Sequence, residues 1–210
     1  MLTAANFFSR GGKRADGSRL AEKIEAWLDD EDGKVRFLTA VCVLQNKGRQ
    51  GVDRAADALA DAVGFHSADS GALKYLLESE ECLEMVTGML FYPSSRVATA
   101  ACKVFLHLSK GGVRDTFVDA LLKDEAAFRK AVEDAYSPAY SVRKSSDNVH
   151  PDAREEVLDV LSIVLQNAAA RRPGKVRGVR GVVEAHLRQG GGEGLRKANL
   201  RAMLDFTKGG

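Results

Sequence analysis

The stretch CLEMVTGMLFYPSSRVATAACKVFLHLSKGG, from Cys82 to Gly112, decides the fold. Leu83, Val86, Met89 and Leu90 recur at steps of three, three and one, and Val97, Ala101, Val104, Phe105 and Leu108 follow the same logic. That spacing marks one buried face of a helix and excludes the alternation of a half-buried strand. Between the two runs stand Pro93, Ser94 and Ser95, where proline ends one helix and a serine hydroxyl caps the next. Gly111 and Gly112 then stop the second run. Just upstream, Ser79 followed by Glu80 and Glu81 reads as an N-cap with first-turn acids, which suit the free N–H groups and positive end of a helix.

The pattern continues in both directions. Upstream, Ser18 caps a helix with Leu20, Ile24, Trp27 and Leu28 inward, ended by the acidic turn Asp29 to Gly33. Val35, Leu38, Cys42 and Leu44 predict a second helix up to Gly48, Val52, Leu59 and Val63 a third closed by Gly64, and Leu73, Leu76 and Leu77 a short fourth. Downstream, Phe117, Leu121 and Leu122 mark one helix, and Phe128, Val132 and Tyr136 another. The polar stretch Ser137 to His150 predicts a surface loop. Pro151 opens a long helix where its missing N–H costs nothing, with Asp152, Glu155 and Glu156 in the first turn and Val157, Leu158, Leu161, Val164 and Leu165 inward. After a basic, glycine-interrupted linker from Arg171 to Gly178, Val182, Val183 and Leu187 predict one helix, and Leu195, Leu200, Leu204 and Phe206 the last. The fold class is all-α.

Four stretches share one layout, an apolar helix, a polar turn, then a longer helix: Leu20 to Gly48, Cys82 to Gly112, Phe128 to Asn167 across the loop, and Val182 to Phe206. Aligning Val35, Val97, Ala153 and Leu195 gives intervals of 62, 56 and 42 residues. The last equals an undisturbed period of about 40 to 47 residues, and the other two imply insertions near Gly64 to Ala72 and near Ser137 to His150. This motif set resembles the armadillo family. The resemblance implies an armadillo/HEAT-like right-handed superhelix of about four degenerate helical repeats. It makes residues 18–210 a single armadillo-like domain with a loop insertion near 137–150, preceded by a flexible leader over 1–17. A stack of this kind offers a concave binding surface, not a reaction.

A narrower resemblance is carried by GALKYLLESEECLEMVTGMLFYPSSRVATAACKVFLHLSKGG and the following VRDTFVDALLK, Gly71 to Lys123. The order Gly, Leu-Lys, Leu-Glu-Ser-Glu-Glu, apolar helix, Pro/Ser turn and Lys-bearing helix is similar to the GBD/FH3 inhibitory region of diaphanous-type formins. The resemblance implies an autoinhibitory module for actin assembly, cytoplasmic and cytoskeleton-associated. Its groove would hold an amphipathic helix from its own or another chain, displaced by a Rho-type GTPase. Carried over by position, the groove residues are Ala100, Lys103, His107 and Lys110 on one helix and Ile163, Gln166 and Asn167 on another. Where the family has asparagines for the GTPase, this chain has Phe65, His66, Ser67 and Asp69, and nothing ahead of Leu20 reads as a GTPase-binding subdomain, so helix binding is the firmer implication. The alternative is an armadillo scaffold of a cytoskeletal, ciliary or trafficking complex. The ending Lys208, Gly209, Gly210 suits a piece of a longer chain.

The residues carry their own case for a binding face. Lys103, His107 and Lys110 are four and three apart, so they share one helix face opposite Val97, Ala101, Val104 and Leu108. Glu78, Glu80, Glu81 and Glu84 form an acidic cluster that serves as helix caps or as a rim for basic residues flanking a bound helix. From Arg171 to Gly210 ten Lys or Arg face only Glu184, Glu193 and Asp205, yet no aromatic residues are interleaved for base stacking, so nucleic acid is not the expected partner.

Composition excludes other classes. The chain has 210 residues, 45% hydrophobic and 29% charged, with a net charge of +2. No apolar run approaches the roughly 18 residues of a membrane-spanning helix. The three cysteines, Cys42, Cys82 and Cys102, are far apart and flanked by apolar residues, which predicts reduced core thiols. Gly12 to Ser18 has the wrong order for a phosphate-binding loop, and Ser141 to Lys144 is S-x-x-K without its companion motifs. His66, His107, His150 and His186 have no partner at ligand spacing. Neither an enzyme nor a cofactor or metal protein is expected.

Overall fold

The computed structural model describes residues 17–46, 51–65, 71–92, 94–137 and 153–208. These are helices α1 (Gly17–Leu28), α2 (Gly33–Gln45), α3 (Val52–Phe65), α4 (Gly71–Glu78), α5 (Glu80–Met89) and α6 (Ser95–Leu108). They continue as α7 (Arg114–Leu121), α8 (Glu125–Tyr136), α9 (Ala153–Arg171), α10 (Pro173–Val176), α11 (Arg180–Arg188) and α12 (Gly194–Phe206). Short 3-10 turns at Gly111–Val113 and Arg177–Val179 precede α7 and α11. There is no strand among the described residues. The flexible leader expected over 1–17 lies outside them up to residue 16. So do the Gly48 stop, Pro93, the Pro151 cap, residues 138–150 of the expected loop and residues 66–70 of the expected insertion.

Two of the expected caps form, while Ser18, expected to cap the first helix, lies inside α1. Ser79 accepts from the Cys82 amide at the head of α5, and Ser94 from the Val97 amide at the head of α6. Asp32 and Asp124 do the same for α2 and α8. Each bond satisfies an amide that the first turn of a helix leaves without a partner.

Four longer helices form a row: α3 packs on α6, α6 on α9, and α9 on α12. Side-chain bonds between neighbours give the direction. Ser94 donates to Asp53 at 2.6 Å and Arg96 to Asp57 at 2.6 Å, while Gly64 lies against His107. Thr99 donates to Glu156 at 3.0 Å and Asn167 to the Ser109 carbonyl at 3.5 Å. Arg196 donates to Asp159 at 2.6 Å and Asn199 to Ser162 at 3.1 Å. In each pair residue numbers rise together, so the four helices run parallel. Two parallel neighbours need a return path, which the shorter helices supply: α4 and α5 lie between α3 and α6, α7 and α8 between α6 and α9, and α10 and α11 between α9 and α12.

The row corrects the register read from the sequence. Its helices begin at Val52, Ser95, Ala153 and Gly194, at intervals of 43, 58 and 41 residues, so α3 and not α2 is the first member. The long first interval disappears and with it the need for an insertion near Gly64 to Ala72. Alpha2 misleads because Phe37, Ala40, Val41, Val43 and Leu44 are all buried, as expected of a central helix. Alpha3 earns its place through small residues. Ala55, Ala56, Ala58, Ala60 and Ala62 of α3 are buried, as are Ala98, Ala100 and Ala101 of α6, and small side chains permit close axes.

The core runs along the row through Leu59, Val104, Phe105, Leu158, Leu165, Leu200 and Met203, and Phe105 meets Phe117 edge to face at 5.4 Å. Four expected inward residues are exposed instead: Trp27 (40%), Leu38 (41%), Leu195 (69%) and Phe206 (49%). The linker expected from Arg171 to Gly178 is helical, because Val176 and Val179 are buried beneath its basic surface. Cys82 and Cys102 are buried and Cys42 is half-buried, all three as free thiols. Burial pushes the Cys102 thiol far above its usual range.

Candidate functional site

The parallel packing of α6 and α9 sets the geometry of the expected groove. Thr99 is level with Glu156 and Ser109 with Asn167, so the C-terminal halves of the two helices lie side by side. Lys103 and His107 project from α6 as exposed side chains, Lys110 is exposed two residues past the helix end instead of sharing their helix face, and none of the three makes an ion pair with described residues. Ile163, Gln166 and Asn167 on α9 are half-buried beside them. The structure thus places five of the seven predicted groove residues, Lys103, His107, Ile163, Gln166 and Asn167, on two adjacent helices, with Lys110 just past the end of α6. Ala100 is the exception. It is 2% exposed and packs within the row, so it offers no surface to a partner. A position between two helix faces is read either way from spacing alone, and here the close neighbour decides it.

His107 has a structural duty as well. A Cβ on Gly64 would stand 3.1 Å from His107 Nε2, so the ring lies over the bare backbone of α3. Gly64 does not close α3, which continues to Phe65; it leaves room for the ring. Beyond Lys110, a polar recess of about 410 Å³ is lined by Arg114, Asp115, Asn167, Ala170 and Arg171. Arg171 spans Asp115 at 3.1 Å and Asp119 at 2.5 Å, and its hydrogen bond holds the Asp119 carboxyl below the usual range.

The acidic cluster lies elsewhere. Glu78 ends α4 and stands 3.8 Å from Lys74, whereas Glu80, Glu81 and Glu84 are exposed on α5. Two clefts flank α5. One, of about 380 Å³, has Leu83, Leu121 and Phe128 on its floor and Glu80 and Glu84 at its edge. The other, of about 720 Å³, lies between α5 and the facing ends of α2 and α3, with Leu44, Val52, Met85, Met89 and Tyr92 below Glu81 and Glu84. No residue of the predicted groove lines either cleft. Capping is still part of their work, since Glu80 and Glu81 occupy the first turn of α5.

Much of the basic C-terminal segment is spent inside the molecule. Arg172 bonds Asp119 at 3.2 Å, Lys175 the Leu122 carbonyl at 2.9 Å, Arg180 the Leu204 carbonyl at 2.8 Å, and Lys208 Asp205 at 2.7 Å. Arg172 and Lys175 thereby hold the segment after α9 to α7, Arg180 joins α11 to α12, and Arg196 ties α12 to α9. Among the described residues no group of three or more His, Cys, Asp or Glu side chains is arranged to hold a metal ion, and no helix is long and apolar enough to cross a membrane. The stretch Ser141 to Lys144, the start of Gly12 to Ser18, and His66 and His150 lie outside the described residues.

Sequence reasoning missed the two clefts and a buried polar set at the α9–α12 junction. There Arg196 is 7% exposed, Asn199 donates to Ser162, and the His186 ring meets Tyr136 edge to face at 4.8 Å. The one local signal for the larger cleft was Gly88, a glycine inside α5 between Met85 and Met89. Comparison with protein-family models, with curated proteins and with solved structures finds no match to the chain.

Proposed function

We propose that the chain is a non-catalytic protein-interaction domain, an armadillo-like array that binds an amphipathic helix across the exposed faces of α6 and α9. The observation that carries this reading is the face itself. Lys103 and His107 on α6, and Lys110 just past its end, make no ion pair with described residues and are exposed, and Ile163 and Gln166 are half-buried on the parallel α9. Exposed cations near half-buried Ile163 suit helix-in-groove recognition, in which an apolar contact takes the stripe of the bound helix and the cations select its flanks. The resemblance of Gly71 to Lys123 makes the narrower form of this reading a formin-type regulatory module. In that form the bound helix is a formin C-terminal segment, a Rho-type GTPase competes with it, and the output is actin assembly.

The test is a comparative pull-down from the source cell's cytosol with the parent chain and a Lys103→Glu/Lys110→Glu variant, both checked for helicity by circular dichroism. Retrieval of a formin C-terminal region or a Rho-type GTPase by the parent alone supports the regulatory form. Equal retrieval of an unrelated complex by both proteins removes the α6–α9 face as the binding surface and leaves a scaffold that works through another.

A further inference from the structure

The face of α5 that looks into the larger cleft is a continuous stripe: Glu81, Glu84, Met85, Gly88 and Met89, at steps of three, one, three and one. Tyr92 carries it past the helix end. At about 1.5 Å per residue the stripe from Glu81 to Tyr92 is roughly 16 Å long, or three helical turns. The opposite wall is Cys42, Leu44, Gln45 and Asn46 at the end of α2, and Val52 at the start of α3. Gly88 leaves a gap in the α5 wall, since a Cβ there meets nothing within 4 Å. Tyr75, 46% exposed and in edge contact with Phe37 at 5.8 Å, adds an aromatic ring near Glu81.

Three properties of this cleft point to one kind of occupant. Its floor is apolar and includes two methionines, whose unbranched side chains adapt to different shapes. Its charged lining residues among those described are Glu81 and Glu84, neither of which makes an ion pair with described residues. Its volume, about 720 Å³, is within the range of ligand clefts, and its walls are helices with no free strand edge to extend.

We propose that this cleft is a second docking site, taking a three-turn amphipathic helix of a partner protein whose apolar stripe is flanked by lysine or arginine. The apolar stripe fills the floor over Met85 and Met89, one of its side chains enters the gap at Gly88, and the flanking cations pair with Glu81 and Glu84. The site is separate from the α6–α9 face and does not depend on what binds there.

The probe is a fluorescent 20-residue synthetic helix with leucines on one face and lysines beside them, set against an isomer with glutamate in place of each lysine. Both are titrated into the full chain at 0.15 M salt. The lysine peptide is expected to bind at least tenfold more tightly than the glutamate one. Glu81→Lys/Glu84→Lys is expected to weaken it at least tenfold. Gly88→Leu fills the gap without meeting a neighbour, and is expected to abolish binding with the melting temperature kept or raised. Lys103→Glu should leave binding unchanged. The proposal is overturned if the lysine peptide fails to bind, if both peptides bind equally, or if Gly88→Leu binds as the parent does. It is equally overturned if binding follows Lys103, or appears only once residues 1–16 are removed, which would make the chain's own N-terminal segment the occupant.

Discussion

Arg196 on α12 donates through Nε to the Asp159 carboxylate on α9 at 2.6 Å, from a side chain only 7% exposed. The same guanidinium reaches the Glu155 carboxylate at 2.7 Å and the Glu155 carbonyl at 2.9 Å. The fork therefore fastens the last member of the row to the first two turns of α9. Both carboxylates are more than half exposed, so water takes them back when the arginine is removed, and the loss is smaller than for a fully buried pair. Arg196→Met is expected to lower stability by about 2 kcal/mol, the scale of lost hydrogen bonds to charged groups. Arg196→Lys should recover less than half, because an ammonium cannot bridge three acceptors in a plane. Urea unfolding of the three proteins checks both.

Gly191 lies so close to His186 that a Cβ added there would overlap the imidazole ring. The ring has little freedom to leave, since Tyr136 meets it from the other side and Tyr136 itself is buried, its hydroxyl donating to the Leu158 carbonyl. Gly191→Ala is therefore expected to cost about 1–3 kcal/mol, the range for overpacking a filled site. In a double-mutant cycle, His186→Ala should relieve most of that cost. Additive effects would show that the turn moves aside instead.

Stability should fall between pH 7 and 5 in a way that depends on His186. Burial, then the nearby Arg196 and Arg154 cations, depress its pKa in the folded chain, against a smaller opposing effect of Glu155. Below the unfolded value of about 6.5 the unfolded chain binds a proton that the folded chain resists. The stability present above pH 6.5 is thus lost as pH falls through the folded pKa. Melting temperatures from pH 7.5 to 5.0 should decline more steeply for the parent than for His186→Gln, and identical slopes would contradict the assignment.

Ser109 at the end of α6 is buried, and its hydroxyl has no hydrogen-bond partner among the described residues. An unpaired buried hydroxyl is a net cost. Ser109→Ala is expected to be neutral or to stabilise by up to about 1 kcal/mol, although serine-to-alanine changes at helix ends usually destabilise. Its carbonyl, which accepts from Asn167, is unaffected.

The helices, their caps at Ser79 and Ser94, and the shared face of Lys103 and His107 were determined by the sequence, because each depends only on residues within four positions along the chain. Contact between distant segments decided the rest. Alpha2 packs on α3 but lies outside the parallel row, because an apolar pattern marks a buried face without saying which neighbour covers it. Ala100 left the binding face for the same reason, while Trp27, Leu38, Leu195 and Phe206 stayed exposed. The acids of α5 read as caps or as a rim until α2, α3, α7 and α8 were placed around them; only then did they edge two clefts. Periodicity tells a helix which side to bury, but what covers that side is chosen by shape and charge on segments some forty residues away.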